Sequence, residues 1–273
     1  MEGENAYGFA RRLEFAANAI ATRQARSVLD LGCGTGAYLL APLARRYPSV
    51  RFVGVDSDAA SIEAARRETA GTNVQLFLAG QWPPGERFDL VIASEVVEHV
   101  ESPPEFLAQA AARMAEGGRL LLTLPNGYGS AEWASLAEAL LRLTGIYPGL
   151  RAFKRLAVPA TPVAGIVRDS HAVSPHINFF SHGEILGLIH AAGMRVVEYQ
   201  PRSFLCGFGW DLLIRGEQRT GWNQRMADRL PPSMVADWMF LLEKAGTPGP
   251  SRFSRGPYAR LRRWMNEKIA RDA

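Results

Sequence analysis

Cysteine is nearly absent: Cys33 and Cys206 are the two in 273 residues, too few for a disulfide framework and consistent with a reducing compartment. No run approaches 18 uninterrupted apolar residues, which excludes a membrane-spanning helix of ordinary length. The opening MEGENAYGFARR lacks the basic-then-apolar signature of an export signal, so a cytoplasmic location is expected. Charge is modest, 21% charged against 47% hydrophobic residues, and that balance excludes wholesale disorder. The net charge of +4 is also unevenly placed, because residues 251–273 carry seven basic side chains against Glu267 and Asp272. The remainder is slightly acidic, which argues against nucleic acid as a partner, since that would want a basic face on the fold itself. The basic tail reads by default as a solvated helix, with contact to an anionic membrane surface or to a partner as the alternatives.

What the chain does have is rhythm. Strand-like runs at Ser27–Leu31, Arg51–Asp56, Asn73–Leu78, Phe88–Ala93 and Gly118–Leu124 alternate with helical patterns near Gly36–Tyr47, Asp58–Ala70 and Pro103–Glu116. A further helix, Glu4–Thr22, leads into them. Asp58 reads as an N-cap, and Ser102-Pro103-Pro104-Glu105 reads as a capping box. Strands alternating with helices predict right-handed βαβ units and a doubly wound, mostly parallel α/β sheet. Beyond Leu124 the rhythm breaks over residues 126–180, which hold one helical pattern (Glu132–Leu143) and a long irregular stretch, expected to be an inserted lid. It resumes with a capping box at Ser181–Glu184, a strand at Met194–Tyr199, a helix near Trp222–Leu230 and a strand at Ala236–Glu243. The expected organisation is a cofactor-binding half over 1–125, the lid, a C-terminal part of the same domain over 181–245, and a basic tail over 246–273 with a helix at Tyr258–Ala270.

Val28-Leu29-Asp30-Leu31-Gly32-Cys33-Gly34-Thr35-Gly36-Ala37 is a strand running into a glycine-rich turn that opens a helix, so a ligand can approach the backbone closely. Read loosely it satisfies the dinucleotide fingerprint, which keeps a nicotinamide oxidoreductase as a rival. Asp30 weighs against that rival: a carboxylate there repels a pyrophosphate and welcomes an ammonium or a sulfonium. Asp56 ends the next strand, where a carboxylate can accept hydrogen bonds from both ribose hydroxyls of an adenosine. Two acids without a phosphate-binding base in the loop point to S-adenosylmethionine.

VLDLGCGTG, VGVD, FDLVIASEVVEHV and GGRLLLTLPN resemble the successive motifs of class I S-adenosylmethionine-dependent methyltransferases, strongly over residues 25–125. HINFFS, AAGMRVVE and ADWMFLLEK extend the likeness over 181–243. The resemblance implies a seven-stranded Rossmann-like sheet whose last strand is antiparallel. It also implies that Asp30, Gly32, Gly34 and Gly36 surround the methionine part of the cofactor while Asp56 holds its ribose. Where the family often has Gly-Asp after the third strand, this chain has Ala79-Gly80-Gln81-Trp82; the Gln81 amide oxygen can accept from the adenine amino group. Trp82 either packs on the adenine or covers core.

Ser94-Glu95-Val96-Val97-Glu98-His99 follows the fourth strand, at the edge where the transferred methyl is expected. If this segment is helical, Glu95, Glu98 and His99 share a face and offer a general base or a divalent-ion site. The E-x-x-E-H spacing resembles ubiquinone-pathway O-methyltransferases and small-RNA 2′-O-methyltransferases, two metal-dependent subsets of the family. In the latter a further histidine downstream completes the site, and His176 stands where the fold resumes. Magnesium is therefore an optional cofactor, set against a pocket that works without metal. The expected reaction is methyl transfer to a small-molecule acceptor, foremost a hydroxyl, with His99 as base and Glu95 beside it. A cofactor-binding partner protein without catalysis is the remaining alternative.

Overall fold

Val28 and Leu29 are neighbours on one strand yet belong to opposite hydrophobic cores, and the same alternation organises the whole molecule. The computed structural model describes residues 6–83, 85–145, 175–207, 210–214, 216–250 and 253–271. Its strands are β1 (Ser27–Leu31), β2 (Arg51–Asp56), β3 (Val74–Leu78), β4 (Phe88–Ser94), β5 (Met114–Pro125), β6 (Met194–Pro201) and β7 (Asp237–Lys244). They form one sheet in the order β3-β2-β1-β4-β5-β7-β6. The first five are parallel, and β7 inserts antiparallel between β5 and β6.

Helices cover both faces. On one lie α1 (Ala6–Arg23) and α2 (Leu40–Arg46), whose Phe15, Ile20, Leu40 and Leu43 pack against Val28, Phe52, Ile92 and Met239. On the other, α4 (Pro103–Ala112) and α6 (His182–Ala191) bring Leu107, Ile185 and Ile189 against Leu29, Val91, Leu120 and Phe240. Each such fully buried side chain contributes about 1.5–3 kcal/mol. The remaining α-helices among the described residues are α3 (Ala59–Glu68), α5 (Ser130–Leu143), α7 (Trp210–Leu213), α8 (Glu217–Arg229) and α9 (Pro257–Arg271).

Local signals explain the boundaries, with instructive departures. Asp58 caps α3, accepting from the Ala60 and Ser61 amides, and the Ser181–Glu184 capping box is complete. Ser102 is not a capping residue: its side chain makes no cap hydrogen bond, and α4 starts on Pro103, whose ring supplies the helical φ without an N–H to satisfy. That helix also ends at Ala112 rather than near Glu116, because β5 already begins at Met114. The helix expected from Gly36 starts only at Leu40, after the glycine turn.

Of the expected lid, residues 126–145, which include α5, and residues 175–180 are described; residues 146–174, with Tyr147, Phe153 and His171, lie outside the described residues. The expected solvated helical tail is corrected. Helix α9 packs on α5, burying Ala259, Arg262 and Met265. Among the described residues, no helix is long and apolar enough to cross a membrane.

Candidate active site

The carboxyl ends of β1, β2 and β4 converge on the glycine turn. The Gly32 and Cys33 amides donate to the Val55 carbonyl at 2.7 and 3.1 Å, bending the turn over the end of β2. Gly32, Gly34 and Gly36 adopt φ of 74°, 52° and 70°, left-handed values that L side chains rarely adopt. At Gly32 a Cβ would also meet Val96 Cγ2 at 2.5 Å, so sterics as well as conformation demand glycine.

Asp56 accepts from the Gly34 amide through Oδ2 (2.7 Å) and from the Asp58 amide through Oδ1 (2.9 Å). The second acid thereby fixes the loop that the first acid underlies. Asp30 is 3% exposed, and its pKa is raised to about 7 by burial and by the Asp56 charge, against the pull of the Arg12 guanidinium. An anionic carboxylate is thus held close to neutralisation, a state that an arriving cation would relieve.

Ser94 ends β4, the strand next to β1, its hydroxyl 2.9 Å from Thr123 Oγ1. Gln81 is exposed in the turn after β3. Trp82 is turned into the structure: its ring packs near Phe88 (centroids 6.0 Å) and under the Arg113 guanidinium at 3.9 Å. Phe88 and Arg113 flank the amino ends of β4 and β5, the sheet edge opposite the glycine turn, so Trp82 covers core.

The segment after β4 is not a helix, which corrects the expected shared face. Glu95 takes φ 57°, and residues 97–99 form a turn closed by the His99 amide on the Val96 carbonyl. Glu95 and Glu98 consequently part company. Glu95 accepts from Thr123 Oγ1 at 2.7 Å and faces Arg202 (3.4 Å) and Arg12 (3.8 Å). Burial would raise its pKa, but the two guanidiniums outweigh burial and hold the carboxyl well below the usual range. Arg202 also grips Asp237 at 2.7 Å. Glu98 is completely buried, and burial together with the Glu95 charge pushes its pKa up.

Glu98 joins His99 and His176 instead: one ligand atom from each lies within 4.8 Å of the others. The two rings meet edge-on with centroids 4.8 Å apart. Residues 175–180 lie against this turn, where the Ile177 and Asn178 amides donate to the Glu98 carbonyl and the Asn178 side chain donates to Val97 and Val100. His99 Nδ1 sits 3.2 Å from the Pro175 carbonyl, which can only accept, so Nδ1 carries the proton and Nε2 is the basic nitrogen. His176 Nδ1 is likewise 2.8 Å from Glu132 Oε1. Burial opposes charging His176, but Glu132, Glu98 and Glu95 overcome it and raise its pKa to about 9. His182 stands apart, its ring edge-on to Trp238.

Sequence reading missed Arg12, Glu132, Arg202, Asp237 and Arg262. Each is a charged residue fully enclosed by the fold, and a strand- or helix-borne charge carries no local mark of burial. The exception is Asp237, an acid directly before the apolar run Trp238–Leu242 of β7, where a charge entering a buried strand invites the search for a buried partner.

The antiparallel seventh strand separates this sheet from nicotinamide-binding doubly wound sheets. With acids ending β1 and β2 around a left-handed glycine turn, it defines the class I methyltransferase architecture. Comparison with known proteins agrees. This chain belongs to the family described as "Methyltransferase domain", whose model matches residues 1–199. It is 33% identical over 135 residues to a ubiquinone biosynthesis O-methyltransferase of Rhodopseudomonas palustris strain BisB5, covering 48% of this chain and 51% of that one. A ubiquinone biosynthesis O-methyltransferase of Methylobacterium nodulans is 32% identical over 181 residues, covering 64% and 62%. The chain thus spans between half and just under two thirds of the length of these relatives. Among solved structures, magnesium protoporphyrin IX methyltransferase from Synechocystis PCC 6803 with bound SAH superposes with a TM-score of 0.51 at 14% identity, covering 90% of each chain. The plantazolicin methyltransferase BpumL, in complex with a desmethyl analogue and SAH, gives 0.51 at 16% identity, covering 88% of this chain and 86% of that one. At such identities the superpositions speak for the fold alone.

Proposed function

We propose that this protein transfers the methyl group of S-adenosylmethionine to a hydroxyl oxygen of a small-molecule acceptor. The observation that carries this reading is His99. It stands in the turn after β4, with Nδ1 3.2 Å from the Pro175 carbonyl, which can only accept, and Nε2, the basic nitrogen of that tautomer, 3.9 Å from Glu98 Oε1. The O-methyltransferase names of the curated relatives support oxygen as the acceptor atom.

In this reading the cofactor's ammonium meets Asp30, and Arg12, close enough to influence Asp30, supplies a cation for its carboxylate. Gly32, Gly34 and Gly36 allow close approach, Asp56 accepts from the ribose, Gln81 from the adenine amino group, and Ser94 borders the methyl. The S–CH3 bond breaks as the O–CH3 bond forms. His99 Nε2 takes the acceptor's proton, and S-adenosylhomocysteine leaves. Positioning and proton removal supply most of the assistance such a displacement needs. Asp30 and the family membership disfavour the nicotinamide rival.

Calorimetric titration with S-adenosylhomocysteine, NAD in parallel, tests the cofactor; a phenol and catechol screen with methyl-labelled cofactor tests the acceptor. His99→Ala is expected to lower kcat about 10²–10⁴-fold with cofactor affinity unchanged. Binding of NAD alone would overturn the assignment.

A metal-assisted variant has its own support: both Glu98 carboxylate oxygens are buried without a hydrogen-bond partner among the described residues, beside His99 and His176. One carboxylate and two imidazoles suit zinc, iron or manganese better than magnesium, which prefers oxygen donors. Held by Glu98, His99 and His176, such an ion would supply a Lewis acid for the acceptor oxygen. Loss of turnover in chelator, restored by one of these ions, would establish it. Contact with an anionic membrane surface draws support from the outer side of α9, where Leu261 and Trp264 are each 55% exposed between Arg260 and Lys268. Cosedimentation with anionic vesicles tests it.

A further inference from the structure

The C-terminal helix does more than cover α5. Its Arg262 is completely buried, donating through Nη2 to Glu132 Oε2 at 3.0 Å and to Ser135 Oγ at 3.1 Å, with its guanidinium 5.2 Å from the Phe179 ring centroid. Glu132, itself 3% exposed, uses its other oxygen on His176 Nδ1 at 2.8 Å. One carboxylate therefore bridges a guanidinium on α9 and an imidazole of the site. Two further contacts from the same end of the chain bear on that strand of residues: Asn266 Nδ2 donates to the His176 carbonyl at 3.0 Å, and Arg255 Nε to Asn178 Oδ1 at 2.9 Å. The ring of His176 is thus held from one side by Glu132 and along its backbone by α9, while its opposite edge meets His99.

We propose that Arg262 is a positioning residue of the active site, acting through Glu132 to fix the orientation of His176 against His99 and Glu98. The inference rests on the functional reading above in taking His99 as the reacting base, against whose ring His176 packs edge-on. Its chemistry is that of outer-shell partners generally. A histidine whose far nitrogen is held by a carboxylate presents its near nitrogen in one direction, and the carboxylate keeps that geometry only if its second oxygen is also engaged. Arg262 supplies that engagement. A lone buried Glu132–His176 pair could rotate; one tied to a planar, packed guanidinium cannot do so without breaking the second bond.

The alternative is that Arg262 only anchors α9. Arg262→Met, Arg262→Lys and Glu132→Gln separate the two. With histidine-selective 15N labelling and no substrate present, Arg262→Met and Glu132→Gln should shift the His176 ring resonances and leave those of His190 in place. Arg262→Lys should restore them in part. In turnover, Arg262→Met should lower kcat about 10- to 100-fold, the range typical of outer-shell losses, with the KM for S-adenosylmethionine within about twofold. Added to His176→Ala it should cost nothing more, because the path of its action has been removed. Unchanged His176 resonances in variants that remain folded would overturn the proposal, as would a full further loss in the His176→Ala background. If Arg262→Met does not fold, the comparison of Arg262→Lys and Glu132→Gln with the unaltered protein decides on the same resonances. Absence of methyl transfer by the unaltered protein would instead sink the functional reading, while the resonance experiment still judges the role of Arg262.

Discussion

Glu132 and Arg262 stand 130 residues apart in the chain and 3.0 Å apart in space, both sealed from solvent. An ion pair so enclosed is costly to form and more costly to break, because removing one partner strands the other charge in a low-dielectric interior. Its position beside His176 therefore binds the stability of the C-terminal helix to the geometry of the site.

Asp30 should trade stability for ligand binding. A carboxylate whose folded pKa is raised is protonated more readily in the folded state, so its burden is absent below about pH 4. It grows between there and pH 7, and is complete above. Asp30→Asn removes it. Denaturant unfolding should show the variant more stable at pH 8, by on the order of 4 kcal/mol at most, and indistinguishable near pH 4. No gain at pH 8 would mean that Asp30 is not held near neutralisation.

The affinity for S-adenosylhomocysteine should depend on pH through the same group. Only the ionised carboxylate can accept the ammonium, so between pH 5.5 and 7 the dissociation constant should fall with rising pH, by up to about tenfold per unit, and level off above 7. In Asp30→Asn binding should be weak and the slope gone. A slope that survives the substitution would assign the dependence to another residue.

Gly32→Ala carries two separable penalties. The left-handed φ costs about 1–2 kcal/mol for any L side chain, and contact with Val96 adds an overlap that typically costs about 1–3 kcal/mol. Val96→Ala in the same protein should recover the second and leave the first. Melting of the two single variants and the double would show a partial rescue; full rescue would mean that conformation matters less at this position than space.

Arg202→Met should be the most destabilising of these changes. It leaves Glu95 and Asp237 without their shared cation, a loss of about 3–5 kcal/mol for a broken buried pair. Glu95, with its pKa lowered, contributes stability above the ordinary carboxylate range and loses it as pH falls toward its folded value. The difference between variant and parent should accordingly shrink below pH 4. A constant difference from pH 7 to pH 3 would point to lost packing rather than lost charge.

How much of this could be read from residues alone divides along a physical line. The alternation of strands and helices, the glycine turn and Asp56 follow from periodicity and local backbone demands, which are written in contiguous sequence, whereas the antiparallel last strand rests on the family resemblance. Glu95, Glu98 and His99 are close in sequence too, yet a helical spacing groups them wrongly, because the left-handed backbone of Glu95 turns the chain. Trp82 fits two roles by sequence, and its choice between them depends on the packing of Arg113 and Phe88 around it. The partners that complete the site arrive from elsewhere: Arg12 on α1, Glu132 on α5, His176 in the return segment, Arg262 on α9. No local pattern announces a meeting of four separate elements.

The placement of α9 sets an order of completion. A chain leaving the ribosome finishes every strand of the sheet once Lys244 has emerged, and the glycine turn can then close with both of its acids. Arg262 arrives later, so on the proposed reading the pocket for the methyl donor is assembled before the last support of the histidine pair.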